Sequence, residues 1–174
     1  MPDDAAFEVQ LVTPERVLLS GRATEVVLRT GEGDVTFLAG HAPLVGSVEP
    51  GVLRVVRPEG DTVRVATHGG FVQVEWGVQL AVEGQPTDAG RGEGERGTRV
   101  TLLIGVAELV DEIDLERARA ALERAESRLA ELEGAGGRGG EEGAADLEVA
   151  EARAALRRAE VRIEAVESAA GVNP

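Results

Sequence analysis

The apolar pattern of this chain changes period once. Up to about Gly105 apolar residues recur at nearly every second position, and from Val106 onward they recur near every 3.5. A strand repeats its faces with period two and a helix with 3.6, so the two patterns belong to different elements. The switch predicts two domains, a β domain over 1–105 and a helical domain over 106–174. A chain of 174 residues is long enough for one domain with a real core, or for one small domain plus an appendage.

In the first half Phe7, Val9 and Leu11 alternate with Glu8, Gln10 and Val12, and Val63, Val65 and Thr67 alternate with Arg64 and Ala66. Phe71, Val72, Val74 and Trp76 lead a further strand. Turn residues such as Ser20-Gly21, Gly31-Glu32-Gly33, Glu49-Pro50-Gly51 and His68-Gly69-Gly70 punctuate these runs at intervals of about 8–12 residues. That spacing predicts an antiparallel β-sandwich or barrel of about ten strands. Residues 83–98 are rich in Gly, Glu and Arg, with almost nothing apolar to bury, and are expected to form a flexible insertion before the last strand.

The second half reads as two helices. Leu115, Ala118, Leu122, Ala125, Leu129 and Leu132 step 3-4-3-4-3, and Val149, Ala152, Leu156, Ala159, Ile163 and Val166 follow the same rhythm. The run Gly134–Gly140 between them breaks the first helix, and the short connection favours antiparallel neighbours. Each seam alternates alanine with larger aliphatics, so the helices approach closely while burying little area. Such a hairpin is marginal alone and suits a switchable element.

Composition removes several function classes. The chain carries 32 acids against 18 bases, all arginine, for a formal charge of −14. This balance opposes sequence-independent nucleic-acid binding and docking on anionic lipid. Without cysteine there are no disulfides, thiolate metal sites or cysteine nucleophiles. Two histidines, His41 and His68, with no carboxylate cluster beside them make no metal site. The start, Met-Pro-Asp-Asp, has neither a basic region nor an apolar run, so no secretory signal is expected, and no stretch has the length to span a bilayer. Catalysis lacks a pattern too. Either histidine sits in a glycine-rich turn, but there is no nucleophile elbow, zinc helix or Walker loop.

Two local features have alternative readings. Gly40, His41 and Pro43 either fix a turn or present an interface. Asp114 directly precedes a helical run and can accept hydrogen bonds from its free first-turn amides. Arg117 and Arg124 lie seven apart and Arg158 and Arg162 four apart. On antiparallel helices these pairs either stand solvated or converge to clamp a polyphosphate.

Three segments together, Gly33–Leu44 with its Gly40-His41-Ala42-Pro43 core, Gly69-Gly70-Phe71-Val72-Gln73-Val74, and Ile113-Asp114-Leu115-Glu116-Arg117-Ala118, resemble the epsilon subunits of bacterial F-type ATP synthases in order and spacing. The resemblance covers most of the chain. It implies a non-catalytic central-stalk subunit that couples the gamma subunit to the membrane c-ring and regulates ATP hydrolysis through its C-terminal helices. The implied partners are gamma, the c-ring and the catalytic alpha/beta hexamer, at the cytoplasmic face of the cell membrane and bound to it only through the complex. It makes Glu32, Asp34, His41, Ala42 and Pro43 rotor contacts. Glu108, Ile113, Asp114, Arg117, Ala118 and Arg124 match the family's nucleotide motif, joined by Arg158 and Arg162 from the second helix. No cofactor is required, and ATP would be a regulatory ligand rather than a substrate.

From Val106 onward there are 17 acids and 9 arginines, a net of −8. An extended inhibitory helix of this family meets acidic surface on the catalytic subunits, so this hairpin is expected to inhibit weakly. Two rivals come from other classes. One is a free-standing sandwich module whose hairpin dimerises as a coiled coil, with seams that are short for that purpose. The other is a small hydrolase using His41 or His68.

Overall fold

The computed structural model describes residues 6–79, 96–135 and 142–171. Ten strands come first: β1 (Phe7–Val12), β2 (Val17–Ala23), β3 (Glu25–Thr30), β4 (Gly33–Phe37), β5 (Leu44–Val48), β6 (Gly51–Val56), β7 (Thr62–Thr67), β8 (Gly70–Gln79), β9 (Arg96–Ile104) and β10 (Ala107–Leu109). A 3₁₀ turn, Val110–Glu112, leads to α1 (Leu115–Ala135) and α2 (Glu142–Ala169). The fold is the expected β-sandwich followed by a helical hairpin. By compactness the chain divides into Met1–Ala107 and Glu108–Pro174.

The sandwich consists of two five-stranded sheets, ordered β2-β1-β9-β8-β5 and β10-β7-β6-β3-β4. The pairing of β1 with β9 is parallel, whereas β1–β2, β3–β4, β3–β6, β5–β8, β6–β7 and β8–β9 are antiparallel. Period-two alternation does the work. Phe7, Val9 and Leu11 are buried while Glu8 and Gln10 are not, and Val72 and Val74 are buried between exposed Phe71 and Gln73. Phe7, Leu11, Leu28, Phe37, Leu53 and Leu102 fill the core, each worth about 1.5–3 kcal/mol of transfer free energy.

One sequence expectation of the sandwich needs correcting at its edge. The polar insertion 83–98 does not reach Thr98 as a loop, because Arg96, Gly97 and Thr98 belong to β9 and pair with Gln79, Val78 and Trp76. The sequence hid this strand start because arginine and glycine supply no apolar alternation there. The remainder, residues 83–95, lies outside the described residues, as does 136–141 between the helices. Trp76 has the inward parity of Val72 and Val74 yet is exposed. A bulge follows it, with Gly77 at φ 75°, and bulges turn a strand end and re-aim side chains.

In the hairpin, Ala118, Ala125, Ala152 and Ala159 are buried on the seam, and Leu122, Leu129, Leu132, Leu156 and Ile163 are half-buried beside them. Gly134 lies within α1 rather than ending it. The helices are antiparallel, tied by Arg119–Glu167 at 3.7 Å, Arg128–Glu148 at 2.7 Å and Arg153–Glu133 at 3.3 Å. α2 also buries Val161 and Ala165 on a second face that the seam periodicity did not single out. Besides α1, α2 packs against the 3₁₀ turn.

Candidate functional site

The Gly40-His41-Ala42-Pro43 segment joins β4 to β5, which are edge strands of different sheets. The loop therefore carries the chain from one layer of the sandwich to the other. Gly40 adopts φ 79°, a left-handed conformation that favours glycine, and its N–H donates to the hydroxyl of Thr98 at 2.7 Å. Thr98 is buried at the start of β9, and sequence reasoning missed it because it fell in the polar insertion. The His41 N–H donates to the Leu38 carbonyl at 3.1 Å. Its ring meets Phe37 edge to face at 4.9 Å, with Nδ1 2.8 Å from the Ala42 carbonyl. His41 is half-buried, and Ala42 and Pro43 are exposed. The turn is thus both fixed and presented.

Glu32 and Asp34 stand at the other end of β4. Thr30 closes the β3–β4 hairpin by donating its hydroxyl to the Gly33 carbonyl at 2.9 Å and accepting the Glu32 N–H at 3.3 Å. Asp34 pairs across the strands with Arg29 at 2.9 Å. Four strand steps separate Gly33 from Phe37, about 14 Å. The two groups therefore do not form one cluster; β4 strings them along one edge of the sandwich.

The outer face of the other sheet carries an apolar row, exposed except at half-buried Val12. Phe71 pairs with Leu103, Leu103 with Val12, and Val12 with Val17, while Val45 adds from the edge strand on the same face. Val45 is 74% exposed and Phe71 61%. Both are far more open than residues of strand interiors need be, and contiguous apolar surface of this kind marks contact with a partner.

The third group lies in the helical unit. Asp114 accepts the Arg117 N–H at 3.0 Å, so it caps α1. Ile113 is half-buried between the 3₁₀ turn and that cap, and Ala118 is buried in the seam as a packing residue. Arg117, Arg124 and Arg158 are exposed, and among the described residues their guanidinium groups make no salt bridge. Arg162 is half-buried and forms a bidentate pair with Glu108, its Nε lying 2.9 and 3.1 Å from the two carboxylate oxygens and its Nη2 closing the contact.

The helix register places all four arginines on one flank. Residues that immediately follow seam positions, Arg119 with Glu167 and Arg153 with Glu133, bridge the helices on one side. Arg128 and Glu148, which immediately precede seam positions, bridge them on the other. Arg117, Arg124, Arg158 and Arg162 each immediately precede a seam residue, so they share the flank of Arg128 and Glu148.

A two-layer sandwich bearing a C-terminal helical hairpin, with a fixed edge loop and an open apolar sheet face, defines a class of interaction subunit. The model of the ATP synthase delta/epsilon chain β-sandwich domain matches residues 6–79, and that of the delta/epsilon chain long alpha-helix domain matches 111–167. The chain belongs to the ATP synthase delta/epsilon family. It is similar to the ATP synthase epsilon chain of Desulforudis audaxviator, 40% identical over 73% of this chain and 77% of that one. The epsilon chain of Streptomyces griseus is 39% identical over 71% and 82%. Among solved structures, a chain of the Euglena gracilis mitochondrial ATP synthase shares the fold, with a TM-score of 0.62 at 23% identity over 93% of this chain and 79% of that one.

Proposed function

We propose that this chain is the non-catalytic central-stalk subunit of an F-type ATP synthase, coupling the gamma subunit to the membrane c-ring and restraining ATP hydrolysis through its helical hairpin. The observation that carries the reading is the apolar row Phe71–Leu103–Val12–Val17 on the outer sheet face, which gives a member of this family an open surface for a large protein partner. The edge of β4 offers a second contact line, with Glu32 and Asp34 at one end and His41, Ala42 and Pro43 at the other. The shape of that loop is held by Gly40–Thr98 and Phe37–His41, so it presents an interface at little ordering cost. Among the described residues no helix is long and apolar enough to cross a membrane. Attachment at the cytoplasmic face would run through the complex.

The pre-seam flank of the hairpin is the place for a regulatory polyphosphate. Arg117, Arg124 and Arg158 offer three exposed guanidinium groups, and Arg162 is a fourth. ATP held there by all four would stabilise the folded hairpin against any state in which the helices separate. It shifts that balance only by the difference in its affinity for the two states. Chemistry on the nucleotide stays with other subunits.

Co-purification of a tagged copy with native membranes tests the assignment. Recovery of the catalytic hexamer together with gamma and the c-ring is the expected result, and a tagged chain recovered alone overturns it. Replacing Phe71 and Leu103 together by serine should abolish recovery while leaving the chain folded, because both side chains are already in water.

A further inference from the structure

We propose that the free edge of the sandwich at β2 holds a binding site for a short aliphatic monocarboxylate, a site that the rotor and nucleotide readings do not use. β2 ends its sheet, and along it Leu19, Gly21 and Ala23 pair with inward-facing Leu11, Val9 and Phe7. All three therefore occupy inward positions. Leu19 and Ala23 are buried there, whereas Gly21 has no side chain to put in its place and is exposed. A Cβ built on Gly21 would meet nothing within 4 Å. Where that side chain is missing, a cavity of about 350 Å³ opens between the sheets. Val9 lines it from one sheet and Val55 of β6 from the other, at 2% and 1% exposure, so its floor is apolar. The volume lies at the small end of the roughly 300–1,000 Å³ of small-molecule pockets, which limits the occupant to a short chain.

The rim carries the charge. Arg57 and Glu59 of the β6–β7 turn and Arg22 of β2 belong to the lining. The turn fixes the Arg57 backbone, whose N–H donates to the Asp61 carbonyl at 2.8 Å and whose carbonyl accepts the Gly60 N–H at 2.9 Å. In a chain with 32 acids against 18 arginines, its guanidinium still makes no salt bridge among the described residues. A guanidinium offers two parallel N–H donors to one carboxylate. An apolar chain in the Gly21 slot with its carboxylate at Arg57 therefore satisfies floor and rim together. Arg22 already donates from Nη2 to the Ala6 carbonyl at 3.4 Å, so it adds attraction through its charge. Glu59 sets the upper limit on the charge of the ligand, because a second anionic group would meet it with like sign. Two arginines against one glutamate leave a single positive charge at the rim, which a monoanion matches.

Titration of the full chain with hexanoate, followed by amide NMR, decides the matter. The Val9, Gly21 and Val55 amides should shift saturably with a dissociation constant of about 1 mM, the scale for a ligand of so few atoms. Hexanol lacks the charge, acetate lacks the chain and adipate adds a second carboxylate, so each should bind about tenfold more weakly. Arg57→Gln should weaken hexanoate about tenfold and leave hexanol unchanged. Replacing Val9 and Val55 together by isoleucine adds a methyl group to each side of the floor. That variant should lose the saturable shifts while its urea midpoint holds or rises, because the added volume enters space that is already empty. No saturable shift at these amides would overturn the proposal, as would hexanol, acetate or adipate binding as well as hexanoate. Arg57→Gln binding hexanoate as tightly as the unmodified chain would remove the anion site. A lower urea midpoint in the isoleucine variant would show that the floor is already full, and would overturn the proposal equally.

Discussion

At the scale of single residues, the segments that stood out in the sequence turn out to be places where the backbone leaves no alternative. Gly70 opens β8 opposite Ile104, and a Cβ there would stand 2.2 Å from the Leu103 carbonyl oxygen and 2.9 Å from the Ile104 Cα. Backbone cannot yield as a side-chain tip can. Gly70→Ala should therefore cost about 3 kcal/mol or more, seen as a lower urea midpoint of the sandwich; a shift below about 0.5 kcal/mol would show that β8 and β9 move apart freely. Asp114 is a milder case. Its carboxylate caps the Arg117 amide at the exposed start of α1, so Asp114→Ala should cost about 1 kcal/mol of hairpin stability in thermal unfolding followed by circular dichroism. Asp114→Asn, which keeps the acceptor, should lose far less. If the two variants melt alike, the charge at the helix start matters and the hydrogen bond does not.

At the scale of elements, what could be read from the sequence is what repeats. β1 and β8 declared themselves because Phe7, Val9, Leu11, Val72 and Val74 all face the core with period two. The α1 seam declared itself through Ala118 and Ala125, and the α2 seam through Ala152 and Ala159. What escaped was set by pairing rather than pattern. The first residues of β9 have no apolar alternation and are strand only because Gln79, Val78 and Trp76 supply partners. Val161 and Ala165 belong to a second buried face of α2 that no single-face helical wheel contains. The four arginines were visible as spacings, but the engagement of Arg162 by Glu108, 54 residues away, was not. The alanine seam yields its own test. Ala159 is 1% exposed, so Ala159→Leu adds volume where the helices have none to give and should destabilise the hairpin by about 1–3 kcal/mol. The same change at exposed Ala154 should be nearly neutral or slightly favourable to the helix. Equal melting of both variants would mean that the helices are not in close contact at Ala159.

At the scale of the molecule, charge decides how the proposed regulator can behave. The chain carries −14 overall, and the segment from Val106 contributes −8 of it. Its cross-helix pairs are exposed and worth at most about 1 kcal/mol each, so they set register more than they hold the hairpin shut. If the hairpin extends toward an acidic catalytic surface, like charges oppose its arrival, and added salt should relieve that opposition as the screening length falls from about 10 Å at 0.1 M to about 3 Å at 1 M. A basic hairpin would show the reverse dependence. The clean comparison deletes residues 110–174, because the Val106 carbonyl accepts the His68 N–H at 3.1 Å and Ala107–Leu109 is strand β10, both of which a cut at 106 would remove. ATP hydrolysis by the assembled complex should rise by less than about twofold on deletion at low ionic strength, and the ratio of truncated to full-length rates should grow as salt is added. A large ratio at low salt that shrinks with added salt would show attraction rather than repulsion at that surface. A ratio of one at every salt concentration would remove the hairpin from regulation and leave the sandwich with coupling alone.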